Sequence, residues 1–241
     1  MNPITLEEAK RLFKSIKRVA EKLKSVTVVV CPPYIYIPAL LNTRSEFQIS
    51  IGAQDIYFEG QGSFTGEVSA LMLKDLGVGY VIIGHSERRE MGETDESVAK
   101  KVQALFELGM CPILCIGEKI RDDSGSHLEF LKNQIKNSLN KVSKKHIGKL
   151  IIAYEPVWAI GAKKAMEPEN IYEMSIFIRK VLVDMYGYDE AVSTPVLYGG
   201  AVNFRNATEI FSKGQIDGLL VGRESVNSTG FAELLKAVDV S

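Results

Sequence analysis

The chain has 241 residues, 46% of them hydrophobic and 24% charged, which is enough for one sizeable core. Lys and Arg total 29 against 30 Asp and Glu, a formal charge of -1, so no basic field for nucleic acid is present. No apolar run is long enough to span a bilayer, the charged amphipathic N-terminus is not a signal peptide, and Cys31, Cys111 and Cys115 lack metal-ligand spacing. These features predict a cytoplasmic protein with free thiols, no membrane or nucleic-acid partner, no metal and no cofactor.

Thr5-Leu6-Glu7-Glu8 has capping-box spacing, and Leu6, Ala9, Leu12, Phe13, Ile16, Val19 and Leu23 recur at helical spacing to about Lys24. Val26 to Cys31 reads as a strand stopped by Pro32-Pro33, Ile35 to Asn42 as a short helix, and Phe47 to Gly52 as a second strand. A long glycine-rich loop runs from Ala53 to Gly66, a length that is functional or disordered. Glu67 to Asp75 is helical, Gly79 to Gly84 a strand, Thr94 to Leu108 a helix closed by Gly109, and Cys111 to Ile116 a strand. A helix from Ser126 to about Lys144 precedes the strand Leu150 to Ala153. Pro168 opens a helix to about Tyr186, with Gly187 after it. Pro195 to Tyr198 is a strand, Phe204 to Ser212 a helix, Gly218 to Val221 the last strand and Phe231 to Val238 the last helix.

Strand and helix alternate without a linker, which predicts a parallel sheet in one domain, either an open doubly wound sheet or a closed barrel. With no GxGxxG after a strand and no Walker-type loop, nucleotide-binding sheets fit less well. His85, Glu118, Glu155, Gly199-Gly200 and Gly222-Arg223 all follow predicted strands. In a parallel barrel those ends share one face, and that face carries the active site. Glu155 ends an apolar strand, and Pro156 and a hydrophobic loop with the only tryptophan, Trp158, follow it. That setting suits a general base desolvated by a closing loop; the competing reading is a strand-end glutamate in a turn with Trp158 in the core.

From about Asn2 to the C-terminus the chain resembles the triosephosphate isomerase family. The resemblance is carried by Val81-Ile82-Ile83-Gly84-His85-Ser86-Glu87-Arg88-Arg89, Ala153-Tyr154-Glu155-Pro156-Val157-Trp158-Ala159-Ile160-Gly161 and Leu197-Tyr198-Gly199-Gly200. It implies a TIM-type βα barrel over residues 1–241 and an isomerase of glycolysis and gluconeogenesis interconverting glyceraldehyde 3-phosphate and dihydroxyacetone phosphate through an enediolate. It implies Glu155 as the base, His85 as a neutral electrophile kept so by a helix N-terminus, and Glu87 as a supporting carboxylate. Gly161, Gly200, Ala201, Gly222 and Arg223 would hold the phosphate through backbone N–H groups. It also implies a homodimer through the Ala53–Gly66 loop, with Thr65 near the neighbouring site.

The chain departs from the family pattern at four places. Ala201 stands for the usual serine, Arg223 for a glycine, and Ala162-Lys163-Lys164 for the Thr-Gly-Lys of the lid's far hinge. The family's opening strand ending Asn-Trp-Lys has no counterpart, so about seven strands are expected where a closed barrel needs eight. The resemblance then implies an unclosed seam and impaired activity. The rival readings are a non-catalytic relative that binds phosphate or a partner chain, and another phosphate-handling barrel enzyme, which the paired His85 and Glu155 motifs disfavour.

Overall fold

The computed structural model describes residues 2–43, 49–122, 124–162 and 164–239. Phe47, which opens the second predicted strand, and Lys163 in the lid hinge lie outside them. Helix α1 (Leu6–Ala20) starts at Thr5, whose side chain accepts from the Glu8 N–H, while the Glu8 carboxylate accepts from the Ile4 N–H one residue earlier than a capping box requires. Strand β1 (Val28–Val30) is followed by a 3-10 turn at Tyr34–Tyr36 and the short helix α2 (Ile37–Leu41). Strand β2 (Ile49–Ala53), helix α3 (Ala70–Asp75) and strand β3 (Tyr80–Ile83) come next.

After β3 the chain forms α4 (Ser86–Glu90), a helix with too few apolar residues to show periodicity in the sequence, and α5 (Asp95–Glu107), capped reciprocally by Thr94 and Ser97. Strand β4 (Cys111–Ile116) leads to α6 (Ser126–Ser138), which ends earlier than its pattern predicts; residues 139–143 turn, and a 3-10 segment (Lys144–Lys149) follows. Strand β5 (Ile151–Tyr154), α7 (Pro168–Tyr186), α8 (Tyr188–Val192), β6 (Val196–Tyr198), α9 (Ala207–Gly214), β7 (Gly218–Leu219) and α10 (Ser228–Val238) complete the order.

The sheet is parallel and its spatial order is the sequence order, β1 to β7. It curls: residues after β1, β2 and β7 line one cleft together with those after β3, β5 and β6. Period-2 alternation divides the core. Val81, Ile83, Leu114, Ile116, Ile152 and Tyr154 face the helices in the main cluster, while Ile82, Ile113, Cys115, Ile151 and Ala153 fill a smaller cluster inside the curl. Among the described residues no ladder joins β7 to β1. Outside that seam α1 and α10 pack together, and the Asp239 carboxylate accepts from the N–H groups of Lys24 (3.0 Å) and Ser25 (2.9 Å) and from the Ser25 hydroxyl (2.9 Å). The architecture is the seven-stranded barrel expected, with its gap between the first and last strands. Among the described residues no helix is long and apolar enough to cross a membrane.

Candidate active site

A cleft of about 720 Å³ opens at the C-terminal ends of the strands. The eight residues to which the resemblance gives a role line it, His85, Glu87, Glu155, Gly161, Gly200, Ala201, Gly222 and Arg223, whereas Glu118, also picked out at a strand end, does not. Asn2, Cys31 and Gln54 line it as well. Cys31 and Gln54 directly follow β1 and β2, but the sequence pattern carries the first predicted strand through Cys31 and ends the second at Gly52, so it marks neither as a strand-end residue. They are joined by a hydrogen bond from Gln54 Nε2 to the Cys31 carbonyl (3.0 Å). Asn2 precedes every predicted element, and no sequence signal marked it.

Glu155 continues the inward parity of Ile151 and Ala153, so the pleat itself turns its side chain into the curl. Its carboxylate is 3% exposed, and a buried charge needs partners. Oε1 lies 3.0 Å from His85 Nε2, and Oε2 accepts from the Ser86 N–H at 3.3 Å. Both neighbouring strands hold the residue: the Glu155 N–H donates to the Ile116 carbonyl (2.7 Å), and the Gly199 N–H donates to the Tyr154 carbonyl (2.8 Å). Two glycines leave room for it. A Cβ on Gly117 would overlap the Glu155 carbonyl, and one on Gly199 would stand 2.9 Å from Glu155 Cγ. Cys115, inward-facing on β4, is kept a thiol by burial and then by the Glu155 charge, which both push its pKa well up.

His85 caps α4, and its Nδ1 accepts the Glu87 N–H at 3.3 Å. The neutral ring therefore carries its proton on Nε2, the atom facing Glu155. Burial opposes the charged ring, but the hydrogen bond and charge of Glu155, followed by the charge of Glu87, outweigh it and raise the pKa. The helix N-terminus named in the sequence reading acts in the opposite direction, toward the neutral ring. Helix α4 is only five residues long, and a carboxylate in contact is the stronger field. The Glu87 side chain is 74% exposed and its Oε2 is 3.8 Å from His85 Nδ1. It is a first-turn acid beside the ring. Beneath α4, Asp55 pairs with Arg88 (2.8 Å) and buried Lys101 (2.7 Å), and Lys101 also pairs with Glu93.

The loop after β5 is tied down at both ends. Trp158 Nε1 and the Tyr154 hydroxyl each donate to Glu118 Oε1 at 2.9 Å, and the Val157 N–H donates to the Glu118 carbonyl (3.0 Å). Glu118 is 1% exposed, whereas Trp158 is 42% exposed and so is not core. The strand-end pattern found Glu118, but only the structure shows its partners. At the far end the Met166 N–H donates to the Tyr198 hydroxyl (3.1 Å). Between these anchors Ile160, Gly161 and Ala162 face the cleft. Opposite lies the loop after β6, where Asn206 Nδ2 donates to the Ala201 carbonyl (2.9 Å). A Cβ on Gly200 would overlap the Tyr198 hydroxyl. His127 is buried; His146 is half-buried and stacks on Phe106 with ring centroids 5.1 Å apart. Among the described residues no group of three or more His, Cys, Asp or Glu could hold a metal ion.

A curled parallel sheet with a carboxylate and an imidazole in contact at its strand ends, facing glycine-bearing loops, defines the chain as a βα-barrel enzyme. A family model described as triosephosphate isomerase matches residues 1–238. The triosephosphate isomerases of Clostridium botulinum and Fusobacterium nucleatum are each 43% identical to it, over 96% of this chain and 94% and 93% of their own lengths. That of Dehalococcoides mccartyi is 40% identical over 98% of this chain and 92% of its own length. The chain belongs to the triosephosphate isomerase family, and it is an isomerase.

Proposed function

We propose that this chain interconverts glyceraldehyde 3-phosphate and dihydroxyacetone phosphate, with Glu155 and His85 as its catalytic pair. The observation that carries the assignment is the 3.0 Å contact between a buried carboxylate and an imidazole Nε2 inside a cleft with glycine loops. A bound substrate carbonyl takes the Nε2–H donor from Glu155. The freed carboxylate removes the proton from the adjacent carbon, the electron pair moves onto the carbonyl oxygen, and the Nε2–H bond stabilises the enediolate. The hydroxyl proton of the enediolate passes by way of His85 Nε2 to the oxygen that was the carbonyl, and Glu155, now protonated, returns its proton to the neighbouring carbon, so that the other oxygen becomes the new carbonyl. Glu87 supports the ring through its N–H to Nδ1. Gly161, Gly200, Ala201, Gly222 and Arg223 hold the phosphate, because main chain without bulky side chains lets an anion approach N–H groups closely.

Glu155→Gln preserves shape but cannot accept a proton, so turnover should fall about 10²–10⁴-fold with phosphate binding kept. His85→Asn should lower turnover more than it weakens ligand binding. A Glu155→Gln enzyme with wild-type turnover sinks the assignment and favours the phosphate-binding, non-catalytic relative.

We further propose that residues 1–241 act as one barrel domain in the cytoplasm and pair as a homodimer through the Ala53–Gly66 loop, with Thr65 near the neighbouring site. The free cysteines support a reducing compartment. The loop is organised by Tyr57 stacked on Phe58 (4.5 Å) and tilted against Phe64 (4.7 Å), yet Phe64 stays 37% exposed. An ordered aromatic loop with an uncovered ring supports an interface. Sedimentation at micromolar concentration should find a dimer; only monomer would refute the pairing.

A further inference from the structure

We propose that Arg223 is the counter-ion of the substrate's phosphate and links it to the lid, so that recognition of the dianion in this enzyme runs through one guanidinium. This rests on the reading just given and deepens it. The charged side chains lining the cleft, His85 aside, are Glu87, Arg88, Glu155, Arg223 and Glu224; among the described residues no lysine lines it. A dianion entering such a cleft meets three carboxylates. Arg88 cannot answer it, because its guanidinium is bound to Asp55 at 2.8 Å. Arg223 has no carboxylate partner among the described residues and is the one cation of the cleft left unpaired.

Its placement suits the role. The turn that carries it is pinned, since the Ser225 N–H (2.9 Å) and hydroxyl (2.6 Å) both donate to the Gly222 carbonyl. Its Nη2 lies 3.4 Å from where a Cβ on Gly161 would stand. Gly161 has φ +72, a conformation open to glycine, and without a side chain there the guanidinium lies against the main chain of the lid. One edge of the planar fork thus meets the lid while other N–H donors remain for an oxyanion. The ligand class that fits is a terminal phosphate dianion, or another tetrahedral oxyanion, gripped in two-pronged fashion. Backbone N–H groups alone would discriminate far less by charge.

The test uses the whole chain with Arg223→Met, Arg223→Lys and Arg223→Gly. The first readout is the dissociation constant of inorganic phosphate, by calorimetry at low and high salt. The second is kcat and KM for glyceraldehyde 3-phosphate, compared with glyceraldehyde, which lacks the phosphate. Arg223→Met should weaken phosphate about 10–100-fold, the scale of a lost charge-assisted hydrogen bond. It should flatten the salt dependence and raise KM for glyceraldehyde 3-phosphate more than it lowers kcat. Its loss in kcat/KM for that substrate should exceed its loss for glyceraldehyde. Arg223→Lys should recover part of the affinity. Phosphate binding within twofold of wild type in both Arg223→Met and Arg223→Gly would overturn the proposal. A wild-type chain that binds phosphate through Arg223 yet isomerises no triose phosphate would uphold the counter-ion role and overturn the assigned activity.

Discussion

The middle of the sheet and its two margins are built to different standards. Strands β3, β4 and β5 share four register pairs at each junction, and the residues that follow them, His85 and Glu155, are within hydrogen-bond distance of each other. At the margins β7 contributes two residues, β1 three, and among the described residues no ladder joins them. Inside the curl the middle residues Cys115 and Ala153 are fully buried, whereas Leu219, Leu220 and Val221 beside the seam stay partly exposed. Proton transfer needs atoms placed within a few tenths of an ångström, so the proposed catalytic pair sits where backbone ladders fix both partners. An anion held by a flexible cation and backbone N–H groups tolerates looser support, and Gly222 and Arg223 follow the shortest strand.

If this division is right, perturbing the middle should cost most. Lys101→Met leaves Asp55 and Glu93 without their buried cation, and should destabilise by about 3–5 kcal/mol. Denaturant unfolding measures it, and a loss under 1 kcal/mol would mean the network under α4 does not hold the middle together. The seam should respond to an addition. Fusing an N-terminal strand that ends Asn-Trp-Lys offers β1 and β7 a shared partner and the cleft an ammonium. Turnover should rise at least about 10²-fold, the scale of one preorganised donor to an oxyanion, and the melting temperature should rise with it. Equal values for both forms would show that the margins need nothing.

A finer probe is the His85 titration, followed by NMR. With Glu155 in contact the ring should titrate above the ordinary imidazole value. In Glu155→Gln burial is left to dominate, and the midpoint should drop below that value; an unchanged midpoint would mean the pair is not coupled. The sign for stability follows: the raised pKa stabilises at pH below the unfolded value and the contribution is lost as pH rises through the folded one. The smallest effect belongs to Asp239, whose pKa is lowered first by the Ser25 N–H, against mild burial. Its contribution is present above about pH 3.9 and is lost as pH falls through the folded value. Asp239→Asn should therefore lower the melting temperature at pH 7, with the difference shrinking as the pH falls through the folded value. The reverse trend would remove Asp239 as the clasp of the seam.

The sequence by itself determined the periodicities, and with them the order of elements, the seven parallel strands and the strand-end positions of His85, Glu155, Gly200 and Gly222. These are local properties: alternation of apolar residues, capping chemistry at Thr94, and the stops at Pro32 and Gly187 act over a few residues. It placed Glu155 at the end of an apolar strand, but Leu150 to Ala153 is apolar at every position, so only the structure shows that the parity of Ile151 and Ala153 is the inward one. The ends of elements were less legible. Helix α6 stops at Ser138, α4 and α8 are too short for a periodic signal, and the cleft roles of Asn2, Cys31 and Gln54 depend on strands far apart in the chain coming together. Only the tertiary structure decided that His85 and Glu155 touch, that Glu118 holds Trp158, that His127 is buried, and that Arg223 lies beside Gly161 with no carboxylate partner among the described residues. The three contacts join residues 40 to 70 positions apart, and such distances are set by how the sheet curls, which no window of local sequence encodes.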